Sequence, residues 1–196
     1  MADWYRQTDW NDEIEKFFFE KLGRARSQRD QHLVIQALTI SESFPEVALR
    51  LVDLYFETRT DDFDDGRARL AASQARFALG GYEEALDDYL KGIADKGENQ
   101  AMYVGSPIKF AFLAARYRSQ KHYIPALDIL NGLEMPPDTA PDVQFMYCTG
   151  YALILHDSGK DPHGALQMAE RSLALPKSLL DHYSDLVWRL RGITRS

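Results

Sequence analysis

Cysteine is nearly absent from this sequence: Cys148 stands alone, so no disulfide can close within the chain, which fits a reducing compartment. A lone cysteine reads as a small buried apolar residue rather than a reactive thiol. No stretch approaches the ~20 apolar residues of a membrane span, and the opening Met-Ala-Asp-Trp-Tyr-Arg is polar where a secretory signal needs an apolar run. These absences predict a soluble, cytoplasmic protein with no membrane partner. Eight prolines and 12 glycines in 196 residues are too few for a linker-dominated or low-complexity chain. An excess of basic charge is missing as well. The net charge is -7, and residues 1–98 carry 13 basic and 21 acidic side chains against 10 and 9 in residues 99–196. Phosphate neutralisation needs Lys and Arg in excess, so nucleic acid is not expected as a partner. The small arginine groups at 24, 26 and 29 and at 189, 191 and 195 read as solvated helix faces.

What is present is ample apolar material, 45% hydrophobic and 12% aromatic residues, enough for a core. It recurs at spacings of three and four rather than in alternation, which predicts an all-α chain. The expected helices run over residues 10–26, 28–42, 46–58, 64–79, 82–96, 107–119, 123–133, 141–157, 162–175 and 178–192. Asp9 is the expected cap of the first. Pro107, Pro141 and Pro162 fall where a first-turn proline is harmless, and Gly80, Gly97 and Gly159 follow last turns.

The helices fall into pairs, most clearly over residues 66–98. Small Ala72 and Ser73 lie in the first helix, Gly80-Gly81-Tyr82 at the turn, and Ala85, Tyr89 and Gly92 in the second. Two antiparallel helices approach to ~8–10 Å only when small residues occupy the crossing. This segment resembles a tetratricopeptide (TPR-like) repeat. Aligned on the alanine of the second helix, units recur at Ala48, Ala126 and Ala165, with separations of 37, 41 and 39 residues. The unit at Ala48 departs most, with Gln36 where a small residue is usual and Pro45 in place of the turn aromatic. Trp4-Tyr5 and Trp10-Asn11-Asp12-Glu13 resemble bacterial proteins of this repeat class, a likeness that names no activity.

The resemblance implies one domain over residues 1–196, a right-handed α-solenoid of about four hairpins. A capping helix would occupy residues 1–28, hairpins 29–177 and a second capping helix 178–196. It also implies a concave groove lined by the first helix of each pair. The groove residues would be Arg67, Gln74 and Phe77 from the second unit, Arg118 from the third, and Met146, Thr149 and His156 from the fourth. The arginines suit carboxylates, and Phe77 and Met146 suit an apolar anchor. Leu70 and Ala111 stand where the family's chaperone-tail clamp has polar residues, so that ligand is not expected.

Motifs for chemistry are wanting. There is no GxGxxG, HExxH or GxSxG, and Gly159-Lys160 has Ile154 where a phosphate loop needs glycine. His156, Asp157, Asp161 and His163 form the densest group of ligand-type side chains, and they read as an ordinary polar turn. The run Asp61-Asp62-Phe63-Asp64-Asp65 lacks the glycine and terminal Glu of a calcium loop, and reads as acids capping the next helix. The expectation is therefore a non-catalytic scaffold or adaptor that binds another protein or peptide, without cofactor or metal. The alternative is an immunity-type inhibitor that uses its acidic first half to neutralise a basic toxin. Surplus aromatics at Tyr5, Trp10 and Phe17-Phe18-Phe19 leave room for a homodimer contact through the first helix.

Overall fold

The computed structural model describes residues 3–25, 28–94 and 107–195, and these are all-α. The chain divides into two compact units, Met1–Gly105 and Ser106–Ser196. The expected helix ends at Arg26 and Lys96, and Gly97, lie outside the described residues.

The first unit holds α1 (Asp12–Leu22), α2 (Arg29–Ile40), α3 (Pro45–Thr58), α4 (Asp65–Ala78) and α5 (Tyr82–Ala94). The first helix starts later than its apolar pattern suggests. Its cap is Asn11, whose side chain accepts the N–H of Glu13 and of Ile14, each at 3.0 Å. Asp9, the expected cap, instead accepts the N–H of Trp10 at 2.8 Å. Trp10 turns inward and its indole donates to Glu15 at 2.8 Å, while Phe18 is fully buried. Most of the aromatic surplus is thus absorbed, and only Phe17 and Phe19 of that run stay exposed.

The α2 and α3 pair is a hairpin, as is the α4 and α5 pair, and α4 packs against both helices of the first hairpin. Close approach needs small side chains, and α4 buries Gly66, Ala68, Ala71, Ala72, Ser73 and Ala75. On α5, Ala85 is fully buried, and a Cβ on Gly92 would stand 3.1 Å from the carbonyl oxygen of Gly66. The turn between them passes through Gly80 at φ 80, a left-handed conformation that glycine adopts without strain.

Gln36, anomalous as a repeat residue, has a structural use. It is fully buried on α2, accepts the backbone N–H of Gln7 and donates to the carbonyl of Gln7, both at 2.8 Å. That exchange straps the segment before α1 onto α2. Trp4 and Tyr5 then close over His32, with ring centroids at 4.8 and 4.2 Å.

The second unit holds α6 (Pro107–Arg116), a 3-10 turn (Gln120–His122), α7 (Tyr123–Asn131), α8 (Pro141–Ser158), α9 (Pro162–Leu173), α10 (Lys177–His182) and α11 (Ser184–Ile193). The packing rule of the first unit returns: α8 lies on both α6 and α7, and α11 on both α8 and α9. Gly150 permits the first of these contacts, since a Cβ there would come within 3.2 Å of the Phe112 Cα and backbone nitrogen. Phe110, Phe145, Leu130, Leu153, Ile154, Leu186 and Leu190 form the largest fully buried part of this core.

One long final helix was expected, and the chain instead breaks at Tyr183 (φ -114, ψ 42) between α10 and α11. The ring of Tyr183 stacks on Phe145 at 4.8 Å and meets Phe112 edge-on at 5.7 Å. Seating that ring among the core aromatics requires α11 to leave the direction of α10. Among the described residues no helix is long and apolar enough to cross a membrane.

Candidate partner-binding site

The second unit contains a cavity of about 480 Å³ lined by Arg118, Leu153, His156, Asp157, Trp188, Arg189, Arg191, Gly192 and Arg195. Its volume falls in the ~300–1,000 Å³ range of ligand pockets. Three elements meet there: the end of α6, the last turns of α8, and α11.

Arg118 enters through a strained turn. Beyond α6 the N–H of Ser119 donates to the Ala114 carbonyl at 3.0 Å, and that of Arg118 to Ala115 at 3.3 Å. This is the bond pattern of a Schellman helix end, whose left-handed position normally carries glycine. Here it is Arg118 at φ 55, the one non-glycine residue with positive φ among the described residues. A side chain in this region costs about 1–2 kcal/mol, and such strain clusters at working sites.

Arg189 builds the wall. Its side chain is only 11% exposed, and one terminal nitrogen donates to the carbonyls of Ala115 at 3.0 Å and Arg116 at 3.4 Å. The cation thus closes the C-terminal end of α6, where unpaired carbonyls and the helix dipole favour positive charge. Its other terminal nitrogen donates to Asp157 at 3.0 Å, and the Tyr123 hydroxyl donates to the same carboxylate oxygen at 3.0 Å. Burial pulls the Arg189 pKa down from its ordinary value, opposed by the attraction of Asp157. Burial, with the Asp157 charge behind it, pushes the Tyr123 hydroxyl upward, so it stays a donor.

Asp157, the one carboxylate lining the cavity among the described residues, is therefore committed to Arg189. Arg118, Arg191 and Arg195 make no ion pair with any described residue. Trp188 stands beside them with 76% of its surface exposed, an unusual position for so large an apolar side chain. The arrangement offers free guanidinium groups next to a flat apolar face, over a floor that includes buried Leu153. It suits an anion that carries, or sits beside, an apolar or aromatic group. A second hollow of about 440 Å³ involves Gln144 and Arg171, but there Gln144 already donates to Asp138 at 3.1 Å.

The expected groove residues are placed unit by unit as follows. Arg118 and His156 meet at the cavity. Arg67 is tied to buried Asp64 at 2.8 Å. Gln74 accepts the Ser41 hydroxyl at 2.8 Å, and Phe77 lies half-buried beside Tyr82. Met146 is half-buried and does not line the cavity. Thr149 is fully buried, its hydroxyl 2.7 Å from that of Ser172, so it ties α8 to α9 and presents nothing to a partner.

Of the arginines expected on a solvated face, Arg189 of α11 departs, being nearly buried, while Arg191 and, just past the end of α11, Arg195 are exposed at the cavity. The sequence signal for this was available: Trp188, Arg191 and Arg195 follow one another at three and four residues, the spacing of neighbours on one helical face.

Other singled-out residues have structural uses. Cys148 is fully buried, and burial pushes its thiol up to about 11, with Arg171 opposing. Asp161 caps α9, accepting the Gly164 N–H at 2.9 Å. The acidic run does not cap α4 through Asp64, whose side chain pairs with Arg67. Asp65 pairs with Arg59 at 2.8 Å and accepts the Tyr55 hydroxyl at 2.8 Å. Comparison with protein-family models, with curated proteins and with solved structures found no match to the chain.

Proposed function

We propose that this chain is a non-catalytic, tetratricopeptide-like binding protein whose basic cavity takes an acidic, aromatic-bearing segment of another protein. The observation that carries the reading is three arginines without acidic partners among the described residues and a three-quarters-exposed tryptophan around one cavity. Free guanidinium groups recognise carboxylates in two-pronged fashion, and tryptophan and arginine are among the residues enriched at binding hot spots. Arg118, held in a glycine-type backbone position, supports it further, because a side chain placed there at the expense of stability is best explained by use.

The repeat-like reading is supported within each unit by separate features. Gly92 meets Gly66 where α4 and α5 cross, Gly150 lets α8 close on α6, and α4, α8 and α11 each pack on both members of the helix pair before them. The solenoid and the groove ligand belong to this proposal.

The test uses a fluorescent peptide with a phenylalanine flanked by aspartates, and a control with lysines in place of the aspartates. The acidic peptide should bind, weaken with added salt, and lose at least about tenfold in affinity in Arg118→Glu or Arg191→Glu, with the melting temperature little changed. Equal binding of both peptides, or no loss in either variant, would overturn the reading.

A second reading, an inhibitor of a basic toxin, is favoured by one observation: residues 1–98 carry 21 acids against 13 bases. It requires salt-sensitive binding of a basic protein that survives Arg118→Glu and Arg191→Glu.

A further inference from the structure

A segment of the chemistry this cavity suits, acidic residues beside an exposed aromatic, is present in the chain itself. Between α3 and α4, the run Asp61-Asp62-Phe63-Asp64-Asp65 splits into two halves with opposite fates. Asp64 and Asp65 turn inward onto Arg67 and Arg59. Asp61, Asp62 and Phe63 turn outward: all three are exposed, Phe63 by 56%, and neither aspartate forms an ion pair with a described residue. The first unit therefore displays an aromatic ring directly after two free carboxylates.

This tip is held in shape. Asp61 accepts the N–H of Phe63 at 3.0 Å, and the N–H of Asp65 donates to the Asp62 carbonyl at 3.1 Å. The preceding Thr60 is fastened to Asp30 of α2 by its N–H at 2.8 Å and its hydroxyl at 2.9 Å. A segment fixed before it binds loses little freedom on binding. The ordered backbone does not by itself account for the exposed ring, which gains nothing from solvent.

We propose that the cavity's occupant is the Asp61-Asp62-Phe63 tip of a second copy of this chain, with Phe63 against Trp188 and the two carboxylates among Arg118, Arg191 and Arg195. The proposal rests on the reading of the cavity given above and names its partner. The charges match in sign, two free acids meeting three free bases, and each side contributes an exposed aromatic. Tip and cavity are different surfaces, and every copy carries one of each. Repeated head-to-tail the contact builds rings or chains, and exchanged reciprocally it closes a pair. The exposed Phe17 and Phe19 of α1 play no part in it.

The experiment is sedimentation velocity on the full chain over micromolar to submillimolar concentrations. It compares the wild type with a tip variant (Asp61→Lys with Asp62→Lys), a cavity variant (Arg191→Glu with Arg195→Glu) and their equimolar mixture. Circular dichroism melting checks that each is folded. The wild type should form larger species as concentration rises and lose them in high salt. Each variant alone should associate at least about tenfold more weakly, since its tip and cavity now share one sign. The mixture should associate again, because the lysine tip meets the glutamate cavity and the wild-type tip meets the wild-type cavity. A wild type that stays monomeric throughout, a variant that associates undiminished, or a mixture that stays apart would each overturn the proposal. Binding of the acidic peptide to a monomeric wild type would leave the reading of the cavity standing while this inference falls. Absence of both peptide binding and self-association would end both.

Discussion

Arg189 and Asp157 join at 3.0 Å across the wall of the cavity, and the same guanidinium closes the carbonyl end of α6. Removing that cation leaves the partly buried Asp157 carboxylate to the Tyr123 hydroxyl alone, the Ala115 carbonyl to the Arg118 N–H at 3.3 Å, and the Arg116 carbonyl without its arginine donor. Arg189→Met should destabilise the protein by about 2–3 kcal/mol, read as a lower midpoint in urea unfolding. An unchanged midpoint would mean that water satisfies these groups as well as the arginine does.

Two glycines separate close packing from open space. Gly150→Ala pushes a methyl group to 3.2 Å from the α6 backbone and should cost about 1–3 kcal/mol. Gly192→Ala meets nothing within 4 Å in the last turn of α11, so it should raise stability by up to about 1 kcal/mol through helix propensity. Opposite shifts in melting temperature are the expected result. A Gly150→Ala variant that melts no lower would contradict the α6 and α8 contact, and a Gly192→Ala variant that melts lower would contradict the open space at Gly192.

Arg118 sets stability against binding. Arg118→Gly removes a side chain from a left-handed position and should stabilise by up to about 1 kcal/mol. The same change removes a free guanidinium from the cavity and should weaken binding of the acidic peptide. A variant that melts higher and binds equally well would show that the strain has no use in recognition.

His32 gives the N-terminal strap a dependence on pH. It is buried beneath Trp4 and Tyr5, its Nδ1 has no hydrogen-bond partner, and burial lowers its pKa from 6.5. The unfolded chain therefore takes up the proton first as pH falls. The stability tied to neutral His32 is intact above about pH 6.5, and it drains away as the pH drops toward the lower folded value. Thermal melts from pH 7 to pH 5 should show this loss in the wild type, and His32→Phe should lack part of it. Parallel pH profiles would remove His32 from the explanation.

Helix content and most boundaries were legible in the sequence because punctuation residues act locally. Pro107, Pro141 and Pro162 open helices, and Gly80 and Gly159 follow them, as their backbone preferences demand. The Tyr183 break was not legible, since nothing in the run from Ser178 to Gly192 forbids a helix. The break is set by ring packing against Phe112 and Phe145, residues far away in sequence. Thr149 and His156 share a helix and a pattern, yet one is sealed against Ser172 and the other borders the cavity. Periodicity identifies the faces of a helix but not which neighbour covers each face. Gln36 reads as a misfit until the backbone of Gln7 is seen to complete its amide.

The burial of Cys148 has a practical side. With burial holding its thiol up to about 11, the native protein should react only slowly with maleimides at neutral pH. A cysteine in place of Gly192, where a new side chain has open room, would then carry one dye onto the cavity wall with no native thiol to remove. Arrival of an occupant would register directly in the colour or brightness of that label.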